Sequence, residues 1–283
     1  MVDANAVVRN QDEMLPARVG MVSFLNMAPI RCLWRERVRV PGWSMREEVP
    51  AVLNRLLFGG ELDLASISSH EYALHSSEYL ILPGLSIAAA GAVGSVFLFS
   101  RSPLKMLDGK RVLLSSRSQT SASLTRIILG DFEGVEPIYQ VGELKGDSWE
   151  AVLSIGDEAL RLAAEGRYPH RYDLAEIWCR RTGLPFVFAL WAVNRRFFQQ
   201  SPSTVRAIHH ELIRCQRVGL NDIERICRKE APLIPMTKEA CRRYLSGMDF
   251  DLDPAQQAGL TVFFELLIKR GEVPDEALPL KFI

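Results

Sequence analysis

No stretch of this 283-residue sequence holds the ~18 consecutive apolar residues that a membrane-spanning helix needs, although 48% of its residues are hydrophobic. Charge of neither sign is in excess, since 34 Lys and Arg balance 34 Asp and Glu. Phosphate backbones require a net basic face, so this balance argues against nucleic acid as a partner; a short run such as RCLWRERVRV does not supply one. The five cysteines, Cys32, Cys179, Cys215, Cys227 and Cys241, are odd in number and form no CxxC pair, which argues against a disulfide framework or zinc knuckle and leaves free thiols. Histidines are equally sparse, with no HExxH, so no metal is expected. Neither GxGxxG after a strand nor GxxxxGK nor GxSxG occurs, and so no dinucleotide cofactor, phosphate loop or nucleophile elbow is indicated. The opening MVDANAVVRNQDEMLPARV has no apolar core of the kind a signal peptide carries, and the expected compartment is the cytoplasm.

What is present is an alternation of short apolar runs with amphipathic ones. VGMVSFL reads as a buried strand, broken at Asn26 and followed by Pro29, which suits a first helical turn. VRV at 38–40 predicts a second strand and MREEVPAVLNRLLFGG a helix ending in a glycine pair. LDLASIS, 62–68, is a strand running into a short serine-opened helix, and YLILPGLSIAAAGAVGSVFLFS gives two apolar strands with a turn at Pro83 and Gly84. The pattern then restarts with a strand at 111–115, the polar SSRSQTS, a helix, the strand AVLSI, Gly156 and Asp157 at the next helix start, and the apolar strand Phe186–Val193. Beyond Asn194 only helical patterns remain.

This order predicts an α/β chain of two lobes: 1–100 with 187–283 as the first, 101–186 inserted as the second, and two hinge crossings at the strands near 96–100 and 186–193. A ligand in such a plan, a small molecule, lies in the cleft between lobes, met by strand ends and helix amino termini.

Several residues fall at those ends, each with a second reading. Thr120 and Ser121 open a helix whose amide dipoles favour a carboxylate or phosphate, or are ordinary cap hydroxyls. Asn26 either faces the cleft or caps the next helix, Ser95 either faces it or bonds to backbone, and Asp157 either lines it or answers the helix dipole. Ser66 and Ser68 sit at a further strand end.

VSFLNMAPI, DLASISSHEYA, GAVGSVFLFS, SRSQTSASL, IGDEAL and LPFVFALWAVN resemble, in order and spacing, the motifs of the chorismate dehydratases of the futalosine route to menaquinone. The resemblance spans residues 18 to about 195 and, more loosely, the helical tail. It implies a type II periplasmic-binding-protein-like fold with a helical C-terminal tail, kept in the cytoplasm, and the loss of water from chorismate to give 3-[(1-carboxyvinyl)oxy]benzoate with no cofactor. By motif position it puts catalysis on Asn26 and Ser95, carboxylate binding on Ser66, Ser68, Thr120 and Ser121, and Gly156 and Asp157 at the far wall. The first motif departs from the family's usual pattern: Phe24 stands for a Tyr and Met27 for a Thr. Neither an amide nor an unassisted serine is a base near pH 7, so the base expected for this reaction is the substrate's own enolpyruvyl carboxylate. A solute-binding protein, the ligand-binding half of a regulator and the sister dihydroxynaphthoate enzyme share such a fold; a secretion signal, a preceding DNA-binding domain, and the lack of the SxLN strand end would mark them respectively.

Overall fold

The computed structural model describes residues 14–144, 146, 148–234 and 236–283. Most of the opening segment read above, residues 1–13, lies outside the described residues. Among the described residues no helix is long and apolar enough to cross a membrane.

The first sheet is laid down by β1 (Ala17–Val22), α1 (Ala28–Arg37), β2 (Trp43–Glu48), α2 (Pro50–Phe58), β3 (Leu64–Ser68), α3 (Ser69–Leu74) and β4 (Tyr79–Ala89). β5 (Val96–Ser100), β6 (Arg111–Ser115), α4 (Gln119–Arg126), β7 (Ile138–Gly142), β8 (Ala151–Ile155), α5 (Gly156–Glu165), β9 (His170–Asp173) and α6 (Leu174–Thr182) build the second. The chain returns through β10 (Phe186–Asn194) and ends in α7 (Arg195–Gln200), α8 (Pro202–Asn221), α9 (Ile223–Glu230), α10 (Lys238–Ser246) and α11 (Pro254–Lys269).

The sheets have matching orders, β2-β1-β3-β10-β4 and β7-β6-β8-β5-β9. In each, three parallel strands are joined by an antiparallel one, β10 or β5, that has just arrived from the other lobe. β5 pairs with β8 and β9, so 96–100 belongs to the second sheet and not, as the sequence pattern suggested, to the first lobe. Phe186, counted with the insert by its position, starts a strand of the first sheet. The crossings are therefore the short segments 90–95 and 183–185 between the strands, since a strand paired along its whole length cannot be the place where the chain turns.

Two other expectations change. The strand expected at 38–40 forms instead at Trp43–Glu48, and the expected helix begins only at Pro50. Proline holds Val49 in extended backbone (ψ 154°), and the edge of β1 takes up 43–48 in parallel register, which overrides the helix propensity of Met-Arg-Glu-Glu. The apparent turn at Pro83 and Gly84 is a bulge within one continuous strand, marked by a register shift against β10.

Helices of the tail pack behind the first lobe. Gly219 of α8 lies against the Pro29 carbonyl so closely that a Cβ there would come within 2.1 Å of it, and only glycine permits this approach at the start of α1. Arg31, buried in α1, donates to the carbonyls of Ser23 (2.5 Å) and Phe24 (3.1 Å) and pairs with Glu230 of α9 at 2.5 Å. A guanidinium thus satisfies the carbonyls left bare where β1 ends, and the tail supplies its counter-charge.

Candidate functional site

A cavity of about 50 Å³ lies between the lobes, where β1, β3 and β8 end and β5, α4 and α5 begin. Val22, Phe24, Ile87, Val96, Ile155 and Phe188 supply its apolar wall, and Asn26, Ser68, Ser95, Ser118 and Ser121 its polar one; no lining side chain is ionisable. A larger, open hollow of about 630 Å³, lined by Arg18, Asp63, His75 and Asn194, lies at the opposite ends of the first sheet's strands, away from the converging helix starts.

Asn26 sits in a single 3-10 turn, Leu25–Met27, directly after β1. No side chain caps that turn or α1, so the capping alternative is not what this carboxamide does. Its Oδ1 is buried without a hydrogen-bond partner, an unsatisfied acceptor facing the cavity in which Asn26 takes part. Buried polar atoms are nearly always paired, so an unpaired acceptor at a cavity is open to a water or a ligand held there.

Ser95, 2% exposed, precedes β5. Its carbonyl accepts from Gly156 N–H at 2.8 Å and its Oγ from the Tyr244 hydroxyl at 2.8 Å. Upstream, the Asp173 carboxylate takes the N–H groups of Val93 (3.1 Å) and Gly94 (2.7 Å) while capping α6, which pins the first crossing. Burial pushes the Asp173 carboxyl above its ordinary range, and these amide bonds act against that push.

Ser68 caps α3: its Oγ accepts from Glu71 N–H (3.2 Å) and from Asn54 Nδ2 (3.0 Å). With both acceptor positions taken, its proton alone is left to give. The cap of α4 is Ser118, whose Oγ accepts from Ser121 N–H (3.2 Å) and donates to Ser121 Oγ (3.1 Å), so Ser121 too presents a free O–H. Three hydroxyl donors, a carboxamide and two helix starts thus surround the space without a single cation.

Three residues assigned to substrate by position do not line this cavity. Ser66 is fully buried in the β3–β10 ladder opposite Trp191, its hydroxyl unpartnered. Thr120 Oγ1 accepts from His70 N–H at 2.9 Å, and Asp157 Oδ1 from Leu25 N–H at 3.1 Å. Both bonds run from the second lobe to the first, so these residues latch the lobes together. Burial raises the Asp157 carboxyl above its ordinary range, the Leu25 amide opposing it. Asn26, Ser68, Ser95, Ser121 and Gly156 do meet at the cavity. The cap expected at Thr120 or Ser121 is Ser118, two and three residues earlier, which a serine before a helix in SSRSQTS could have signalled, whereas Tyr244, 149 residues from Ser95, left no signal in the sequence.

Gly156 joins the lobes by contact. It has φ +59°, and a Cβ there would lie 2.8 Å from the Phe24 ring. The tightest approach of the two walls therefore uses a residue without a side chain, in a backbone conformation that glycine tolerates best.

Among the described residues no group of three or more His, Cys, Asp or Glu could hold a metal ion. Residues 17–269 match the family described as menaquinone biosynthesis. A chorismate dehydratase of Thermus thermophilus is 32% identical over 272 residues, covering 90% of this chain and 96% of that protein. A second chorismate dehydratase, from Campylobacter jejuni, is 28% identical over 196 residues, 65% of this chain and 74% of its own. Among solved structures, protein AF1704 of Archaeoglobus fulgidus superposes with TM-score 0.68 at 21% identity, covering 91% of this chain and 98% of that one. The alkanesulfonate-binding protein SsuA of Xanthomonas axonopodis pv. citri gives 0.67 at 13% identity over 93% and 96%. The periplasmic aliphatic sulphonate binding protein SsuA of Escherichia coli gives 0.65 at 14% over 93% and 95%; these likenesses establish the periplasmic-binding-protein-like fold.

Proposed function

This chain belongs to the menaquinone biosynthesis family, and from that premise we propose that it is a chorismate dehydratase, a carbon–oxygen hydro-lyase acting in the cytoplasm and giving 3-[(1-carboxyvinyl)oxy]benzoate. The observation that carries the reading is the wholly neutral polar lining of the interlobe cavity, with the Asn26 amide oxygen unpartnered. A dicarboxylate held there is met by O–H donors from Ser68, Ser95 and Ser121 and by the amino ends of α4 and α5, whose dipoles favour negative charge.

No lining group is a base. The proton on the ring carbon bearing the enolpyruvyl ether passes to the substrate's own carboxylate, the C–H electrons form the new ring double bond, and the neighbouring C–O bond breaks. The departing oxygen leaves with its electron pair and takes up the released proton as water. A carboxylate fixed beside the C–H reaches effective molarities of ~10⁵ M or more, so holding the substrate's conformation is the protein's main task. Asn26 Oδ1 accepts from the substrate hydroxyl, and Ser95 O–H donates where charge collects on the departing oxygen. Ser68 and Ser121 hold carboxylates; Gly156 closes the wall.

A cavity of about 50 Å³ has room for a few waters, each taking ~10–15 Å³ of such space, and not for a ring with two carboxylates. Entry requires the lobes to part about 90–95 and 183–185, breaking the Leu25–Asp157 and His70–Thr120 bonds and that of Ala51 N–H to the Arg117 carbonyl (3.2 Å). Purified protein incubated with chorismate, followed by chromatography and proton NMR, tests the reading. The aromatic enol ether is expected in stoichiometric yield; chorismate recovered unchanged, bound or not, overturns it and leaves a carboxylate-binding protein of this fold or the sister enzyme.

A further inference from the structure

We infer that Tyr244 is a positioning residue for this reaction: its phenol donates to Ser95 Oγ and so directs the serine's own proton into the cavity. The inference rests on the dehydratase reading and extends the site to the helical tail.

Tyr244 stands on α10, and its hydroxyl lies 2.8 Å from Ser95 Oγ, yet no part of it lines the cavity. A serine hydroxyl has one proton to give and two lone pairs to receive. A phenol is far more acidic than an alkyl hydroxyl, so it is the donor of this pair. Burial raises the Tyr244 phenol above its ordinary range, with the Ser95 bond opposing and Asp157 and Asp173 adding to the effect, so the phenol keeps its proton near neutral pH. Among the described residues the Ser95 proton has no acceptor of its own, and the cavity is the space it adjoins.

The rest of Ser95 is fixed independently. Its carbonyl is held by Gly156 and the residues before it by Asp173. The backbone thus sets where Ser95 sits, while Tyr244 decides which way its O–H points and polarises it. During elimination the Ser95 proton is lent as a hydrogen bond to the departing oxygen and returns when water leaves. Neither hydroxyl undergoes net proton transfer.

The test is a double-mutant cycle with chorismate as substrate. Tyr244→Phe is expected to lower kcat about 10-fold with KM nearly unchanged. On a Ser95→Ala background it is expected to cost nothing further, because the group it acts through is gone. A purely structural Tyr244 would give losses that multiply; multiplied losses, or wild-type kcat in Tyr244→Phe, overturn the inference. If Tyr244→Phe does not fold by its melting curve, 3-fluorotyrosine at position 244 decides. A kcat raised only where Ser95 is present supports the inference, and an unchanged kcat overturns it. Absence of turnover in the wild type would instead sink the dehydratase reading, and full kcat in Ser95→Ala would sink the role of Ser95.

Discussion

One added methyl group at Gly156 tests the closed arrangement of the lobes. Gly156→Ala introduces two costs of different kinds. The left-handed backbone at φ +59° burdens an alanine by roughly 1–2 kcal/mol whether the lobes are open or closed. The new Cβ also meets three Phe24 ring atoms at 2.8, 2.9 and 3.0 Å, where ordinary contact begins near 3.4 Å, and this clash exists only when the first lobe lies against the second. Overpacking of that order costs ~1–3 kcal/mol. Melting temperature reports mainly the first cost and should fall by about 2–6 °C for a chain of this size. Steady-state kinetics report the second: if catalysis needs closure, kcat/KM for chorismate should fall ~10- to 100-fold, since each 1.4 kcal/mol is a factor of ten in the closed population. Small-angle scattering with saturating product should show less compaction than the wild type. A variant with a lowered melting temperature but wild-type kcat/KM would refute the reasoning, because the Phe24–Gly156 contact would then have no part in the active conformation.

Asn26→Ala and Ser95→Ala should each lower kcat about 10²-fold with smaller changes in KM, as expected of groups that bond most strongly where charge shifts; near-normal kcat for Asn26→Ala would remove it from the mechanism. Ser121→Ala should mainly raise KM, about 10-fold, because a carboxylate clamp holds substrate and transition state nearly alike, and kinetics in which kcat falls instead would contradict that role. Glu272 joins the lobes, accepting from Ser123 Oγ at 2.6 Å and Arg270 Nε at 2.8 Å with His70 Nε2 at 3.8 Å. Burial alone would raise its carboxyl, but these three groups hold it down to about 2 against an ordinary 4.5. Because the folded value is depressed, its contribution is complete above pH 4.5 and is lost as pH falls towards 2; partial exposure trims it to roughly 1–2 kcal/mol. Denaturant titrations across that window should show wild type losing this increment and Glu272→Gln not.

What could be read from the chain alone was whatever short-range pattern records. Apolar runs such as AVLSI and FVFALWAV announce strands buried on both faces, and serine before a helix announces a cap, because both follow from the burial and hydrogen bonding of neighbours in sequence. The ordered motifs likewise marked Asn26 and Ser95 as strand-end residues. Edge strand 43–48 was not legible, since its helix-favouring residues are extended only by pairing with β1. Nor was the division of labour among the hydroxyls: Ser121 faces the cavity while adjacent Thr120 binds His70 of the other lobe, a distinction made by the helix's rotation against a surface 50 positions away. Periodicity fixes which residues share a face, but not what that face meets. Arg31 with Glu230, Asp157 with Leu25 and Tyr244 with Ser95 are pairs separated by 199, 132 and 149 positions. They were decided by tertiary structure alone, because a hydrogen bond depends on separation in space, and only the folded packing of tail on lobe and lobe on lobe brings such distant residues within 3 Å or so of each other.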